Sequence, residues 1–386
     1  MISRRSFLKQ MSTAAFAAAS TYPLLTWALP REQYVPFPGE DGMVLRSFRF
    51  IDLESPVEYF NTWLTPVPHF FVRNHMHEPI TLEDWNLTVG GEVEKPITLN
   101  LSELSKLETH SVVNTLECAG NGRGMHRPQV PGIQWGKGAV GTARFSGPRL
   151  RDVLQRAGVK PTGKHVMFRG NDEVPGKVPP FIRSIPIGKA LDPDTLIATH
   201  MNGSPLTKHH GAPARALVPG WIGAASCKWL TEIKVLPTEF VGNFMSPGYR
   251  LPNQPVKPGE AVKPEDTHPL TALTVKSVIS GPSGGATVGA SRMSIHGAAW
   301  AGEANITKVE ISTDGGSSWS AAKLGHEQAH YAWRLWSYDW KPGKSGDYVI
   351  QSRATDSQGR TQPVTPEWNP SGYLYNAIDE VKVRVV

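Results

Sequence analysis

The segment around Cys118 combines residue types that suit a transition-metal or cofactor site. A single cysteine follows a predicted strand over residues 111–116 and precedes three glycines and Arg123, in the order Cys-Ala-Gly-Asn-Gly-Arg-Gly. A thiolate is a soft metal ligand, and neighbouring cations lower the pKa of a thiol. Glycines let the backbone approach a bulky ligand. The pattern indicates a metal or cofactor loop, and it equally fits a buried cysteine in a tight turn.

A dinucleotide-binding loop is a third interpretation of the same segment. Gly120, Gly122 and Gly124 alternate as in a Rossmann glycine loop. The full spacing of that motif and a clear following helix are missing from the sequence, so we discount this interpretation.

Three further clusters offer donors to an anion or a heterocycle. They are residues 71–75 (Phe-Val-Arg-Asn-His), residues 208–215 (Lys-His-His-Gly-Ala-Pro-Ala-Arg) and residues 223–228 (Gly-Ala-Ala-Ser-Cys-Lys). Arg, Asn, His and Lys side chains suit phosphate and ring edges. The alternatives are a solvated loop, a zinc site at His75 and His77, for which no matching second pair exists, and tight packing around Cys227.

Short strands and turns must position these clusters. The chain has 386 residues with 33 Pro and 37 Gly, which favours two or three domains rich in strands and loops. We expect strands at 85–91, 111–116, 214–218 and 229–236. We expect helices at 101–107, capped by Ser102, and at 150–157, ending at Gly158.

Beyond residue 252 the pattern changes. A Pro-, Lys- and Glu-rich linker over residues 252–268 precedes evenly spaced strands predicted at 271–275, 291–300, 307–312, 333–339, 346–355 and 381–386. Asp314-Gly315-Gly316 signals a hairpin. This spacing is typical of an immunoglobulin-like sandwich. The predicted organisation is therefore a signal at 1–28, a lead-in segment at 29–64, a catalytic domain at 65–251, the linker, and a sandwich at 269–386.

The first residues resemble an export signal peptide. Arg4 and Arg5 open a twin-arginine pattern that is followed by an apolar, alanine-rich stretch shorter than the roughly 20 residues a membrane span needs. A twin-arginine signal implies a periplasmic protein without a stable membrane anchor. Without residues 1–28, the net charge falls from +6 to +3, because three of the 40 basic residues and none of the 34 acidic ones are removed. That balance argues against a nucleic-acid partner.

Cysteine usage limits the redox chemistry. Cys118 and Cys227 are the two cysteines and could form one disulfide, although nothing in their spacing requires it. The chain has no c-type haem motif, so any haem must belong to a partner protein.

The clusters, taken in this order, resemble the molybdopterin-binding domain of the sulfite oxidase family. The resemblance runs from about residue 65 to the C-terminus and includes that family's dimerisation domain, with an α+β cofactor domain before the sandwich. It implies a molybdenum-molybdopterin cofactor, with Cys118 as the metal ligand. The residues that it places at the pterin and its phosphate are Phe71, Val72, Arg73, Asn74, His75, Asp172, His210, Arg215, Ser226, Cys227 and Lys228.

The same resemblance implies an oxyanion pocket and a reaction. Arg73, Arg123, Trp135 and Tyr249 match the catalytic positions. The implied reaction is the oxidation of sulfite to sulfate by a homodimer that passes electrons to an external acceptor such as a c-type cytochrome. Two departures remove positive charge: Pro131 stands where animal sulfite oxidases have Lys, and residues 376–380 read Asn-Ala-Ile-Asp-Glu in place of N-A-W-H-R. These departures question sulfite as the substrate and leave the cofactor unaffected.

Two alternatives remain at this stage. One is a related molybdopterin enzyme that reduces a sulfoxide, although such relatives lack the second domain. The other is a secreted, non-catalytic binding protein, which explains the sandwich but neither the export signal nor the ordered clusters.

Overall fold

A five-stranded mixed sheet forms the base of the first half of the molecule. The computed structural model describes residues 34–35, 42–81 and 83–386, so the predicted signal at 1–28 lies outside the described residues. The central strand Leu230–Leu236 runs parallel to Asn86–Gly91 and antiparallel to His165–Gly170. Leu230, Ile233 and Val235 of this strand are buried, and the register shifts between Leu230 and Glu232. The strand order is Ile97–Asn100, Asn86–Gly91, Leu230–Leu236, His165–Gly170, Ile182–Pro186.

An antiparallel four-stranded sheet delivers the cysteine loop. Thr109–Glu117 pairs with Val140–Pro148 along its whole length. The strand therefore ends one residue before Cys118. The sheet order is Ser204–Pro205, His200–Met201, Val140–Pro148, Thr109–Glu117, and a separate two-stranded ladder joins Leu196–Ala198 to Arg215–Leu217.

Helices are few and short. Leu150–Ala157 is present as predicted and ends at Gly158 in the left-handed conformation. The helix predicted at 101–107 spans Leu101–Ser105, and Asn100 rather than Ser102 caps it. The Asn100 side chain accepts from the Glu103 amide, and the Glu103 carboxylate accepts from the Asn100 amide, which is a complete capping box. Among the described residues, a third helix spans Ile187–Ala190, and 3₁₀ turns occur at Val57–Tyr59, Val67–His69, Arg123–Met125, Gly223–Ala225 and Pro264–Asp266.

The lead-in segment is more ordered than the sequence indicates. Met43–Ser47 and Asp52–Glu54 pair as antiparallel strands, with Tyr34–Val35 on the outside. Asp52 and Glu54 are buried acids, which a solvated lead-in would not contain. Both act as acceptors for neighbouring segments, so this hairpin belongs to the folded site region rather than preceding it.

Two packed sheets form the C-terminal half. Apolar residues from both sheets, among them Ile295, Trp336, Ile350 and Val383, share one core. The predicted two-layered sandwich is present, and the immunoglobulin-like classification stays a prediction. The sheet orders are Lys276–Gly281, Met293–Trp300, Arg334–Trp340, Lys323–Leu324 and Thr287–Val288, Asp379–Val385, Gly346–Asp356, Ile306–Ser312, Ser320–Ala321.

The junction between the halves is closely packed. The predicted linker folds back on itself, because Arg250–Pro252 pairs with Thr267–Pro269. The strand predicted at 271–275 is not formed. Its apolar residues pack into a core cluster instead of joining a sheet: Leu273 is buried with Ile222 and Tyr249. The described residues from Tyr34 to Val386 form one compact unit.

No helix within the described residues is long and apolar enough to cross a bilayer.

Candidate active site

The Cys118 loop is held by backbone hydrogen bonds on both sides. The Cys118 amide donates to Ala139 O at 2.9 Å, and the Asn121 amide donates to Cys118 O at 2.9 Å. Gly120 lies against the Arg123 guanidinium, because a Cβ atom at this position would come within 2.5 Å of it and the arginine would have to shift. Both Cys118 and Arg123 line the same cleft, so the loop brings an arginine to the space beside the cysteine.

Two cavities meet at Cys118. An inner cavity and an outer cleft have four lining residues in common. These are Arg73, His75, Cys118 and Tyr249. A group bound to the Cys118 sulfur would therefore contact both an enclosed chamber and an open approach.

The inner cavity brings together residues from all the predicted clusters. Its predicted members are Phe71, Arg73, Asn74, His75, Cys118, Asp172, His210, Arg215, Ser226, Cys227, Lys228 and Tyr249. These residues come from segments more than 150 positions apart, and only the fold places them around one chamber. Cys118 and Cys227 are both free, so the conceivable disulfide is absent.

Two cations of the inner cavity donate their hydrogen bonds to neutral groups: Arg215 is buried and Lys228 is half-buried, and the charge of Glu78 opposes the fall in the pKa of Lys228. Lys228 Nζ donates to His209 O at 2.8 Å and also to Asn74 Oδ1. Arg215 donates to His210 O at 3.0 Å and to Ser226 O at 2.9 Å. These acceptors are neutral. Burial lowers the pKa of Lys228 to about 7 and the pKa of Arg215 to about 10.

This donor set fits an anionic cofactor. Arg215 Nε is buried and has no hydrogen-bond partner among the described residues. A buried donor without an acceptor is costly, and an anion at this position would satisfy it. An anion would also restore a normal pKa to Lys228. The small side chains of Ala224 and Ser226 line the same wall and leave room for a bulky group.

Arg73 is fixed by the lead-in hairpin. Its Nη1 lies 3.2 Å from Asp52 Oδ1, and the same oxygen accepts the Asn74 amide at 3.0 Å. One buried carboxylate thus orients two residues of the Phe71–His75 cluster. Burial raises the pKa of the Cys118 thiol, while the charges of Arg73 and Arg123 oppose that rise.

Tyr249 and His75 lie at the junction of the two cavities and are hydrogen-bonded to each other. Its hydroxyl and His75 Nε2 share a hydrogen bond of 2.6 Å, and Phe181 stacks on the imidazole with a centroid distance of 4.2 Å. Burial, followed by the charge of Arg73, places the pKa of His75 well below its ordinary value. Burial raises the pKa of Tyr249. The pair therefore stays neutral across the usual pH range.

Arg123 lies in the outer cleft. Its Nε donates to Ser371 O at 2.8 Å and its Nη1 to Ile133 O at 3.1 Å, while Nη2 makes no hydrogen bond within the described part of the chain. That remaining donor is available to a ligand. Arg49 also lines the cleft and has no ion-pair partner among the described residues. Three arginines and one aspartate, Asp52, therefore leave this cleft positive.

Two predicted residues line neither cavity. Val72 is buried in a small cluster with Met43 and Leu53, and its backbone pairs with Leu53. Trp135 is completely buried, in the same apolar cluster as Cys118. The Trp135 indole Nε1 is buried without a hydrogen-bond partner among the described residues, and the roles predicted for Val72 and Trp135 stay predictions.

Several site residues were not predicted from the sequence. They are Arg49, Asp52, Phe181, Arg183, His209 and Tyr373. Arg183 lies over the Tyr249 ring at 4.8 Å. His209 adjoins the predicted His210, so the doubled histidine was a usable signal. The others lie in segments that carry no motif.

Comparison with known proteins agrees with this geometry. Residues 75–244 match the family model of the oxidoreductase molybdopterin binding domain, and residues 267–386 match the Mo-co oxidoreductase dimerisation domain. The chain is 36% identical to mitochondrial sulfite oxidase of Rattus norvegicus over 359 residues, covering 89% of this chain and 65% of the relative. It thus spans slightly less than two thirds of the rat enzyme.

Two further similarities extend over most of both partners. Sulfite oxidase of Gallus gallus is 36% identical over 363 residues, covering 89% of this chain and 79% of the relative. The crystal structure of the sulfane dehydrogenase SoxCD from Paracoccus pantotrophus matches with a TM-score of 0.75 and 27% identity, covering 94% of this chain and 93% of the other.

Fold and cavities together define a molybdopterin-binding protein with an appended β-rich domain. The chain belongs to the sulfite oxidase family of molybdenum oxidoreductases. Its cofactor is molybdenum-molybdopterin, and the described residues of the inner cavity fit that group. The α+β fold class followed by a β-rich domain is confirmed, and the roles assigned to individual residues stay predictions.

Proposed function

We propose that this protein oxidises a small sulfur oxyanion, with sulfite to sulfate as the leading reaction. The observation that carries the proposal is the meeting of a cation-lined inner cavity and an arginine-lined outer cleft at Cys118. The reaction adds one oxygen atom from water to sulfur and releases two protons and two electrons. The bound cofactor supplies the two-electron redox chemistry.

The protein's own residues would capture and orient the anion. Arg123 offers Nη2, and Arg73 stays charged beside Asp52, so charge-assisted hydrogen bonds are available at the junction of the cavities. Arg49 adds positive charge farther out, where it would attract an anion before binding. Loss of one direct contact costs about 1.5–3 kcal/mol, expressed mainly in substrate capture.

The inner residues would retain the cofactor. Lys228 and Arg215 are the donors that suit a phosphate, and Cys118 is the proposed molybdenum ligand. We further propose export by the twin-arginine route to the periplasm, a homodimer assembled through the C-terminal domain, and an external acceptor such as a c-type cytochrome. The matched dimerisation domain supports the homodimer.

A substrate that carries sulfane sulfur is the second candidate. The structural match to a sulfane dehydrogenase extends over nearly the whole of both chains.

A steady-state assay separates these reactions. Purified holoenzyme is given sulfite or thiosulfate with ferricyanide or cytochrome c, and a sulfoxide with a reduced dye. Enzyme from cells grown on tungstate is the matched control, since the protein is identical and the molybdenum is replaced. Sulfite oxidation that is lost in the tungsten form supports the proposal. Sulfoxide reduction without sulfite oxidation contradicts it.

A further inference from the structure

A loop of the C-terminal domain forms one wall of the outer cleft. Pro370, Ser371 and Tyr373 line the cleft together with Arg123 and Tyr249. The loop docks directly on the cysteine segment, because the Leu374 amide donates to Ala119 O at 2.8 Å. The region that matches a dimerisation domain therefore contacts the residue next to Cys118.

Tyr373 contacts both Arg123 and Tyr249. Its ring stacks on Tyr249 with a centroid distance of 5.3 Å and an interplanar angle of 9°. The Arg123 guanidinium lies over the Tyr373 ring, 5.4 Å from the ring centroid. Stacking and cation–π contacts of this kind are directional and fix the planes of the groups involved.

The loop itself is closed by one buried side chain. Asn369 is 5% exposed, and its amide donates to Tyr373 O at 2.9 Å while its carbonyl accepts the Tyr373 amide at 2.9 Å. Ser371 O, in the same turn, accepts Arg123 Nε at 2.8 Å. Loop closure by Asn369 thus sets Tyr373 and the Arg123 acceptor at the same time.

We propose that Tyr373, held by Asn369, is a positioning residue that orients Arg123 and Tyr249 for an oxyanion in the outer cleft. Arg123 is fixed on one side by the Tyr373 ring and on another by Ser371 O, which leaves Nη2 as the donor for the ligand. This proposal adds a positioning residue to the proposed function. It depends on that function only for the choice of an oxyanion as the ligand.

The test compares holoenzyme variants by equilibrium sulfate binding, measured by calorimetry, and by sulfite kinetics. Tyr373→Leu removes the ring, Tyr373→Phe keeps it, and Asn369→Ala opens the loop. Tyr348→Leu is the matched control, because Tyr348 is a half-buried tyrosine of the same domain that contacts Trp340. Molybdenum content and melting temperature are recorded for each protein.

We expect Tyr373→Leu to raise the sulfate Kd and the sulfite KM about tenfold, with kcat within about twofold of wild type. Tyr373→Phe and Tyr348→Leu retain wild-type values, and Asn369→Ala changes Kd in the same direction by a smaller factor. A melting temperature and molybdenum content equal to wild type exclude a general folding defect.

Three results overturn the inference: wild-type sulfate affinity in Tyr373→Leu, equal damage from Tyr373→Phe and Tyr373→Leu, or no sulfate binding by the wild-type protein. A further outcome is that sulfate binds as expected while neither the wild type nor any variant turns over sulfite. In that case the proposed function fails and the positioning role stands. The two failures are therefore distinguishable.

Discussion

The inner cavity and the outer cleft meet at one sulfur atom but differ in how their charges are held. In the inner cavity, Lys228 and Arg215 donate to neutral acceptors, and the pKa of each falls. Arg73, which lines both spaces, has a carboxylate partner in Asp52, and in the outer cleft Arg49 is exposed while Arg123 is buried against backbone carbonyls. The difference indicates one chamber for a permanent anion and one approach for an exchanging anion.

The cost of the inner arrangement follows from elementary electrostatics. A buried charge without a counterion destabilises a fold, and a ligand that pairs with it stabilises the folded state by mass action. The cofactor-free protein is therefore expected to be less stable than the holoenzyme. The outer cleft carries less of this penalty, because Asp52 pairs with Arg73 and solvent reaches Arg49, so that Arg123 alone of its three arginines is buried without a carboxylate partner among the described residues.

Replacement of the sulfur at the junction should have the largest effect. Cys118→Ser is expected to abolish turnover and leave the far-ultraviolet circular dichroism unchanged, because the loop is held by backbone hydrogen bonds. Cys227→Ala, at the second buried cysteine of the inner cavity, is the comparison variant: it removes a thiol from the cofactor cavity, so molybdenum content is measured in both variants to separate cofactor loss from loss of a metal ligand. Normal turnover in Cys118→Ser would contradict the account.

Removal of an inner cation comes next. Lys228→Met should weaken cofactor retention by about 1.5–3 kcal/mol, the range for a hydrogen bond to a charged group. The measurement is the molar ratio of molybdenum and pterin to purified protein after dialysis. Lys257→Met, at an exposed lysine of the hairpin between the halves, is the control. Full cofactor content in Lys228→Met would show that this cavity does not hold the anion.

An outer cation should matter less. Arg49→Gln is expected to raise the sulfite KM about two- to fivefold without changing kcat, because exposed charges contribute about 0.2–1 kcal/mol. The difference from wild type should shrink at high salt. Arg292→Gln, an exposed arginine of the C-terminal domain, is the control. A change in kcat rather than KM would place Arg49 in a different role.

The smallest expected effect is on the pH dependence of stability and concerns His126. Burial, followed by the charges of Arg123 and Lys276, lowers the pKa of His126 from 6.5 to about 4. The unfolded chain binds a proton at this residue below about pH 6.5, whereas the folded chain does so only near pH 4. This contribution therefore lowers stability as pH falls through that window. Thermal melts of wild type and His126→Gln should show a shallower pH slope in the variant, and parallel slopes would contradict the assignment.

The sequence was informative where the chemistry is local. Cys118, Arg73, Arg215 and Lys228 stand in motifs with recognisable residue types, and all four line the cavities. The α+β cofactor domain and the second β-rich domain were also predictable, because strand spacing and turn residues are local signals.

The remainder depends on contacts between distant segments. Asp52 reaches Arg73 across 21 positions, and Ser371 reaches Arg123 across 248. Neither segment carries a motif, so the lead-in hairpin and the Asn369–Tyr373 loop could not be assigned to the site. Trp135, which the resemblance places near the substrate, is fully buried and its indole Nε1 has no hydrogen-bond partner among the described residues, so its role stays a prediction. Asn100 displaced Ser102 as a helix cap because its side chain forms the reciprocal pair with Glu103.

Buried charge also connects the two halves. Glu117, which precedes Cys118, accepts Trp300 Nε1 at 2.8 Å and pairs with Lys276 at 2.5 Å, and both partners belong to the C-terminal half. The strand that delivers the cysteine is therefore fixed from the opposite domain. The second domain is thus part of the support of the site as well as a region matched to dimerisation.

The most direct test of the central claim is X-ray absorption at the molybdenum edge of wild type and Cys118→Ser, each purified with its cofactor. The account predicts one sulfur neighbour fewer around molybdenum in the variant, with the remaining sulfur shell retained. An identical sulfur count in the two proteins would show that Cys118 is not a metal ligand.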